Sequence, residues 1–305
     1  MNTQTGFRGR QWLHGILFLL AGSSVSAHQH LSDVEFKEVP AIDGIVMLQG
    51  SGGNIAVSTG KDGLLVIDDD YQDLGEKLTA SLNKLDDKGP RFLLNTHWHA
   101  DHTGNNETLA GDGAIIVAHD NVRKRLQQGG EVKAFNMVIP PANPEALPVA
   151  TYDESMKLYW NGWRLELIHP APAHTDGDTV VYFYQDDKVK LVHTGDLFFN
   201  GFYPFLDSGS GGSAKGMVKG AADILARIDD DTVIIPGHGP LASKSDLQAY
   251  HDFMKAAVSK IDSLKSQGKS ADEVVAAKPL TEFEAEWGDG FLKTDQWVRI
   301  VYSAL

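Results

Sequence analysis

Short apolar runs separated by glycine-rich or Asp-Gly turns fill the first part of the chain. Runs of this kind, bounded by turn residues, predict four strands, at residues 34–39, 45–48, 54–58 and 64–67. Leucines at helical spacing then predict a helix over 73–84, which Gly89 and Pro90 stop before an apolar strand at 92–94. We therefore expect a meander of hairpins that leads into a helix and a buried strand.

Strands and helices alternate through the rest of the chain, interrupted by residues 129–155. That segment holds four prolines and predicts a long surface connection, at which a domain boundary is possible but not required. Before it we predict a helix from residue 103, a strand at 115–118 and a helix at 121–128. After it we predict strands at 156–159, 164–168, 179–184, 190–192 and 232–235, and helices at 215–228, 243–266 and 271–277. Two halves of similar order indicate an α/β fold of four αββα layers, with two packed mixed sheets and helices outside.

The N-terminus has the three parts of a secretory signal peptide. Arg8 and Arg10 precede an apolar stretch over 12–21, and small residues end at Ala27. A membrane anchor is the alternative, but the apolar run falls short of the roughly 20 residues that a span requires. We expect cleavage after residue 27, a single domain over 28–305, a periplasmic or secreted protein, and no membrane partner after cleavage.

Composition narrows the range of functions. The chain has 42% hydrophobic residues and a formal net charge of −14, which suits a globular protein and disfavours binding to nucleic acid or anionic lipid. It has no cysteine, so disulfides and thiolate chemistry are excluded, and a metal site must use histidine and carboxylate ligands. A small-molecule substrate is expected, and the oligomeric state is left open.

The segment Asn95-Thr96-His97-Trp98-His99-Ala100-Asp101-His102 carries the strongest chemical signal in the chain. In an extended segment residues two apart point the same way, so His97 and His99 are expected to bind one ion, while the following turn directs Asp101 and His102 to another. Imidazole and carboxylate suit zinc. The missing ligands are expected from turns that follow apolar runs, and three residues stand there: His174, Asp196 and His238.

These motifs, in this order and spacing, resemble the metallo-β-lactamase superfamily over nearly all of the predicted mature chain. The resemblance implies a first zinc ion on His97, His99 and His174. It implies a second on Asp101, His102 and His238, with Asp196 as the bridge. It also implies that a hydroxide shared by the two ions attacks the substrate, and that Asp101 orients it and moves its proton.

The substrate is less constrained than the metal site. By the resemblance, the common zinc β-lactamases carry Cys at the position of Asp196, whereas glyoxalase II and lactonases carry Asp. The best-known β-lactamases also place a Lys, which binds the substrate carboxylate, where this chain has Phe199. Lys215 or the N-terminus of the helix starting near Ser213 is a candidate replacement for that anchor. Ser213 can equally be only the cap of this helix. We predict β-lactam hydrolysis, with lactone or thioester hydrolysis as the alternative. A non-catalytic zinc protein and an iron-dependent redox enzyme are further alternatives.

Several segments have two possible interpretations each. The run 197–205 is expected to line an apolar pocket or to pack in the core, and the glycine-rich tip 49–53 to be a mobile flap or a plain turn. His193 is expected either to hydrogen-bond a metal ligand or to be structural. A mature N-terminus of His28-Gln29-His30 offers copper or nickel ligands if it is not simply a flexible tail. No role is assigned to the four remaining histidines, His14, His119, His169 and His251.

Overall fold

The structure is a computed structural model that describes Leu31 and residues 33–305. The predicted signal peptide and the His28-Gln29-His30 segment lie outside these residues. In chain order the described strands are β1 (Lys37–Ile42), β2 (Ile45–Gln49), β3 (Ile55–Ser58), β4 (Leu64–Ile67), β5 (Pro90–Leu94), β6 (Ile115–His119), β7 (Gly130–Val132), β8 (Met137–Ile139), β9 (Ala150–Tyr152), β10 (Ser155–Trp160), β11 (Trp163–Ile168), β12 (Val180–Gln185), β13 (Lys188–His193) and β14 (Val233–Ile235).

The larger strands form two mixed sheets. The first has the order β1-β2-β3-β4-β5-β6-β9, antiparallel from β1 to β4 and parallel from β4 to β9. The second has the order β10-β11-β12-β13-β14, and only its β13 and β14 are parallel. Strands β3 and β4 are wholly buried, as expected for continuous apolar runs that are covered on both faces.

Helices cover the outer face of each sheet. In chain order they are α1 (Gly75–Leu85), α2 (Ala100–Thr103), α3 (Asn106–Gly111), α4 (Asp120–Gln128), α5 (Ala214–Leu225), α6 (Lys244–Ser266), α7 (Ala271–Ala276), α8 (Glu284–Trp287) and α9 (Thr294–Ser303). Ser243 and Ser270 start α6 and α7 with capping boxes, in which the serine side chain and an acidic residue three positions on satisfy each other's backbone N–H groups. None of the described helices combines the length and apolar composition needed to cross a bilayer.

The core lies in three layers, which confirms the predicted αββα architecture. Side chains of both sheets, among them Leu94 and Phe183, pack against each other in the central layer. The outer face of the first sheet packs against α1 and α3 through Leu78 and Leu109. The outer face of the second packs against α5, α6 and α9, and Trp297 is buried there.

Two parts of the chain differ from the predicted elements. The proline-rich segment 129–155 holds the hairpin β7–β8 and also β9, which pairs in parallel with β6. It was predicted as a connection because these strands have three residues each, too few to show a period. The sequence analysis predicts no element after residue 277, but α8 and α9 follow it, and α9 is amphipathic with four buried residues.

The two sheets meet at the edge where the histidine-rich segment follows β5. There the Thr179 amide donates to the Thr96 carbonyl at 2.7 Å, and the Asn54 amide donates to the Gly237 carbonyl at 2.7 Å. The turns that follow β5, β11, β13 and β14 come together at this edge. The fold thus brings the candidate ligands, which are up to 141 residues apart in sequence from His97 to His238, into one place.

Candidate metal centre

The first group of candidate ligands consists of His97, His99, His174 and Asp196, all buried. His97 and His99 lie in the bend that follows β5, and the bend, not a regular extended strand, brings their rings to one side. The Nε2 atom of His97 lies 3.2 Å from Nδ1 of His99, and Nε2 of His174 lies 2.9 Å from the same Nδ1. Three imidazole nitrogens therefore converge on one point.

The second group consists of Asp101, His102 and His238. Asp101 and His102 belong to the short helix α2, which turns them away from the direction of the preceding histidines. The Nε2 atoms of His102 and His238 are 3.4 Å apart, and they lie 3.6 Å and 3.4 Å from Oδ2 of Asp101. The structure thus brings all seven residues together in two neighbouring groups, with Asp196 beside the three histidines of the first.

Asp196 faces both groups with different oxygens. Its Oδ2 lies 3.8 Å from Nε2 of His97 and 3.5 Å from Nε2 of His174, whereas its Oδ1 lies 3.2 Å from Nε2 of His102 and 3.4 Å from Nε2 of His238. Gly237 lies so close that a Cβ at this position would overlap Oδ1 of Asp196. The Gly-His sequence therefore both supplies a ligand and leaves room for the carboxylate.

Hydrogen bonds to the outer ring nitrogens fix three of the imidazoles. Nε2 of His99 contacts Oδ2 of Asp207 at 3.0 Å, and Nδ1 of His102 contacts Oδ2 of Asp68 at 2.7 Å. Nδ1 of His174 lies 2.9 Å from a backbone carbonyl, that of Phe205. Such acceptors hold the proton on the outer nitrogen and leave the inner nitrogen as a lone pair, which is how proteins prepare histidine for a metal.

The spacing of the inner nitrogens fits a metal ion. Ligands about 2.0–2.1 Å from one zinc ion stand about 3.3 Å apart in a tetrahedron, close to the separations in both groups. Lone pairs that face each other at this distance repel unless a proton or a metal ion lies between them. In addition, Oδ1 of Asp196 is buried without a hydrogen-bond partner among the described residues. The donor set therefore fits a borderline divalent ion such as zinc.

The charges of the metal-free centre point to the same conclusion. Burial lowers the pKa of His174 to about 4, so this ring is neutral at pH 7. Burial would also lower the pKa of His238, but the carboxylates of Asp196 and Asp101 outweigh it and raise this pKa to about 9. Burial raises the pKa of Asp101, whereas the facing His102 and His238 outweigh burial and lower it to about 2. The two buried carboxylates thus stabilise positive charge within the centre.

Asp68 and Asp207, which support the ligands, were not singled out in the sequence. Asp68 begins the run Asp68-Asp69-Asp70 directly after the buried strand β4, and three acidic residues at a strand end are a signal that could have been used. Asp207 is 108 residues from the His99 ring that it binds, and a single aspartate near a glycine-rich turn carries no such signal.

The two residues suggested for substrate binding lie in other surroundings. Phe199 is buried and its ring stacks on that of His238 at 4.8 Å, so it supports a ligand from behind and does not line an open pocket. The ammonium of Lys215 pairs with Asp262 of α6 at 3.0 Å, and the side chain is 64% exposed. The Ser213 hydroxyl accepts the Gly216 amide at 3.2 Å, so it caps α5. Most of the run 197–205 is core.

The glycine-rich tip 49–53 lies against the metal centre and is held in place. The amides of Ser51 and Gly52 donate to the Asp70 carboxylate at 3.0 Å and 2.8 Å, and a Cβ at Gly53 would overlap the His102 ring. These contacts favour a fixed turn over a mobile flap. The contact with the His102 ring also explains why residue 53 is glycine.

His193 contacts backbone groups and no metal ligand side chain. Its Nε2 lies 3.0 Å from the Asn54 carbonyl, and its Nδ1 accepts the Gly195 amide at 3.2 Å, so it holds the turn that presents Asp196. His119 and His169 stack on each other at 3.8 Å, and His251 lies beside Asp252 on α6. None of these three belongs to the two ligand groups, and His14 lies outside the described residues.

Comparison with known proteins agrees with this geometry. Residues 52–238 match the model of the metallo-beta-lactamase superfamily, and the chain belongs to that superfamily. A probable hydroxyacylglutathione hydrolase of Schizosaccharomyces pombe is 29% identical over 48% of this chain and 48% of its own length. A metallo-beta-lactamase type 2 of Bacillus cereus is 22% identical over 66% of this chain and 72% of its own.

The fold is also shared with solved structures. A metallo-beta-lactamase with a HARLDQ motif from Cronobacter sakazakii superposes with a TM-score of 0.62, at 16% identity, over 80% of this chain and 100% of that one. The chain is therefore a metallohydrolase-fold protein with a cluster of histidines and aspartates suited to metal. Because the identity is low, this similarity supports the fold and does not specify the substrate.

Proposed function

We propose that this chain is a dinuclear zinc hydrolase that opens a small cyclic acyl compound, with a β-lactam as the first candidate substrate. The observation that carries the proposal is the Asp196 carboxylate, which presents one oxygen to each ligand group at 3.2–3.8 Å. A carboxylate shared in this way would hold two ions side by side. Bound zinc would supply a nucleophilic water at neutral pH and polarise the substrate carbonyl.

Asp101 is the residue that we assign to proton transfer. Its side chain is 12% exposed, whereas that of Asp196 is 4% exposed, so Asp101 is the carboxylate of the centre that is more accessible to an incoming substrate. With Oδ2 held by His102 and His238, the group would orient the attacking water and accept its proton. The same carboxyl group would then pass that proton to the leaving nitrogen.

The direction of substrate approach follows from the burial of the ligands. His97, His102 and His174 are closed off from solvent, but His99 and His238 retain a small accessible surface. A substrate would therefore approach Asp101 from the side of the centre on which these two rings lie. It would place its carbonyl against the side of the centre that is open, and the remaining ligands would exclude water from behind it.

Two considerations favour a β-lactam. The first is the predicted signal peptide, since an exported enzyme meets such compounds outside the cytoplasm. The second is the relative from Bacillus cereus that is named a metallo-beta-lactamase. Export itself is a proposal, and N-terminal sequencing of the secreted protein should find His28 as the first residue.

A thioester is the second candidate, because Asp196 is an aspartate. The resemblance implies aspartate at this position in glyoxalase II, and relatives in Schizosaccharomyces pombe and Polaromonas are named hydroxyacylglutathione hydrolases. Each of those matches covers about half of this chain and about half of the relative, so the support for a thioester does not extend to the whole molecule.

The test is a hydrolysis panel on mature, zinc-loaded protein. It contains a chromogenic cephalosporin, an aryl lactone and S-lactoylglutathione, and Asp101→Asn protein purified in parallel excludes a contaminating enzyme. Turnover of the cephalosporin that is lost in the variant supports the first candidate. Turnover of the thioester alone transfers the assignment to the second, and no turnover of any member contradicts the proposal.

A further inference from the structure

Five phenylalanines form a chain of ring contacts that begins and ends at histidines of the metal centre. We call them the phenylalanine collar: Phe135, Phe199, Phe202, Phe205 and Phe291. The chain starts at Phe205, whose ring lies 5.8 Å from those of both His99 and His174. It continues to Phe135 at 4.8 Å, Phe291 at 6.4 Å, Phe202 at 6.2 Å and Phe199 at 5.7 Å, and it returns to His238 at 4.8 Å.

The collar is assembled from segments that are far apart in the chain. Phe135 lies in the hairpin β7–β8, and Phe291 lies between α8 and α9. Phe199, Phe202 and Phe205 follow β13, in the segment that also carries Asp196. The Tyr203 amide donates to the Trp287 carbonyl at 3.0 Å, which ties the C-terminal segment to this one. A Cβ at Gly290 would lie 2.7 Å from Cβ of Phe202, so glycine there permits the close approach.

Burial divides the collar into an inner and an outer part. Phe199 and Phe205 are buried and support the rings of His238 and His99. Phe135, Phe202 and Phe291 are only partly buried. Three partly exposed aromatic rings from three segments form an accessible apolar surface, and such surfaces usually mark a binding site. The buried rings of Phe205 and Phe199 connect this surface to the rings of His99 and His238.

Phenylalanine side chains offer neither charge nor hydrogen bonds. The collar therefore cannot recognise a carboxylate or an amide, and it favours a ligand group that is itself apolar. Aromatic edges also attract other rings in offset or edge-to-face contact. A substrate that carries a flat or extended hydrocarbon group could bind here without giving up hydrogen bonds to water.

We propose that the collar is the subsite for an aryl or alkyl substituent of the substrate, and that Phe135 and Phe291 determine the specificity for it. The inference rests on the proposed function, because it takes the reacting group of the substrate to lie at the metal ions. It adds the class of substrate: an acyl compound with a bulky apolar substituent, in preference to a small or wholly polar one.

The test uses cobalt-loaded protein and two thiols of similar acidity, ethanethiol and 2-phenylethanethiol. A thiolate bound to cobalt gives a charge-transfer absorption, which reports binding without turnover. Because burial of a phenyl group contributes about 1.5–3 kcal/mol, we expect 2-phenylethanethiol to bind about tenfold or more tightly than ethanethiol. In Phe135→Ala and in Phe291→Ala this preference should fall about fivefold, the value of a lost aromatic contact.

Val138→Ala is the matched control, because Val138 is in the same hairpin and 76% exposed. It should retain the preference for the phenyl thiol. Equal binding of the two thiols to the wild-type protein, or an unchanged preference in both phenylalanine variants, would overturn the inference and leave the proposed function standing. Failure of the wild-type protein to bind cobalt would overturn both. The wild-type comparison stands even if a variant does not fold.

Discussion

At the scale of single residues, the second contact of each imidazole determines what the ring can do. His99 binds Asp207, and His102 binds Asp68. Each contact fixes the tautomer, so that the inner nitrogen carries a lone pair toward the ligand group. The two aspartates are therefore positioning residues, and they help to explain why the rings converge.

Replacement of Asp101 is the direct test of proton transfer. In Asp101→Asn the amide keeps the shape of the side chain and cannot accept the proton, so kcat should fall about 10²–10⁴-fold. The variant should retain the far-ultraviolet spectrum of the wild-type protein. Asp230→Asn, at a side chain that is 100% exposed, is the matched control and should keep full activity. Near-normal kcat in Asp101→Asn would contradict the assignment.

Metal binding should depend on pH through His238. In the metal-free protein the pKa of this ring is raised to about 9 by Asp196 and Asp101, against the effect of burial, so at pH 7 the ring holds a proton that a metal ion must displace. Below the pKa, each rise of one pH unit lowers the cost of displacement, and zinc affinity should increase about tenfold per unit for one released proton.

A titration of metal-free protein with zinc, against a competing chelator of known affinity, measures this dependence at pH 7, 8 and 9. The expected affinity rises over the interval and levels off above about pH 9. An affinity for both ions that is the same at pH 7 and at pH 9 would show that no ligand proton is displaced.

At the scale of elements, periodicity identified the longer strands and helices. Strands such as β2 and β4 and the long helix α6 were predicted within one residue at each end. The three-residue strands of the hairpin β7–β8 were missed, and so was α9, which follows a stretch of mixed composition. Both supply members or neighbours of the phenylalanine collar. Their position depends on packing against distant segments, which local pattern does not contain.

The tip between β2 and β3 offers a prediction at this scale. In Gly53→Ala the new Cβ would overlap the His102 ring, which must shift away from its partner Asp68. Overpacking of this kind costs about 1–3 kcal/mol of unfolding free energy, and the displaced ligand should weaken metal binding. Urea unfolding and zinc stoichiometry measure the two effects.

Gly111→Ala provides the control for this substitution, since a Cβ at Gly111 would meet no atom within 4 Å. It should change neither stability nor zinc content by a measurable amount. If Gly53→Ala kept the zinc content and the stability of the wild-type protein, the tip would have to move freely. That result would favour the alternative interpretation of this segment as a mobile flap.

The sequence identified the candidate metal ligands more completely than the residues around them. All seven candidate ligands were named from the sequence, because a metal centre needs particular residue types and several of them lie close together in the chain. Phe199 was singled out because it lies three residues after Asp196, and Lys215 because it lies at the start of a predicted helix. The structure gives them a buried stack and a surface ion pair. Neighbours in sequence do not indicate which side of a turn a side chain takes.

At the scale of the whole molecule, the ligands join the two halves of the fold. His97 and His102 follow the first sheet, whereas Asp196 and His238 follow the second. A bound ion would therefore connect the two sheets across the edge where only a few backbone hydrogen bonds link them. Binding to the folded state alone shifts the unfolding equilibrium by mass action.

Removal of metal should lower the stability of the entire domain. We expect the Tm to fall by at least about 5 °C when a chelator strips the protein, and to recover when zinc is returned. Differential scanning calorimetry measures both steps. Asp196→Asn, which weakens both ligand groups, should show a smaller difference between zinc-loaded and stripped protein. An unchanged Tm after complete removal would contradict a metal that links the sheets.

The central claim is that Asp196 is shared by two metal ions, and anomalous diffraction at the zinc edge tests it most directly. Crystals of the zinc-loaded protein should give two peaks per chain, one among His97, His99 and His174 and the other among Asp101, His102 and His238, with the Asp196 carboxylate between them. A single peak, or two peaks of which one lies away from Asp196, would contradict the account.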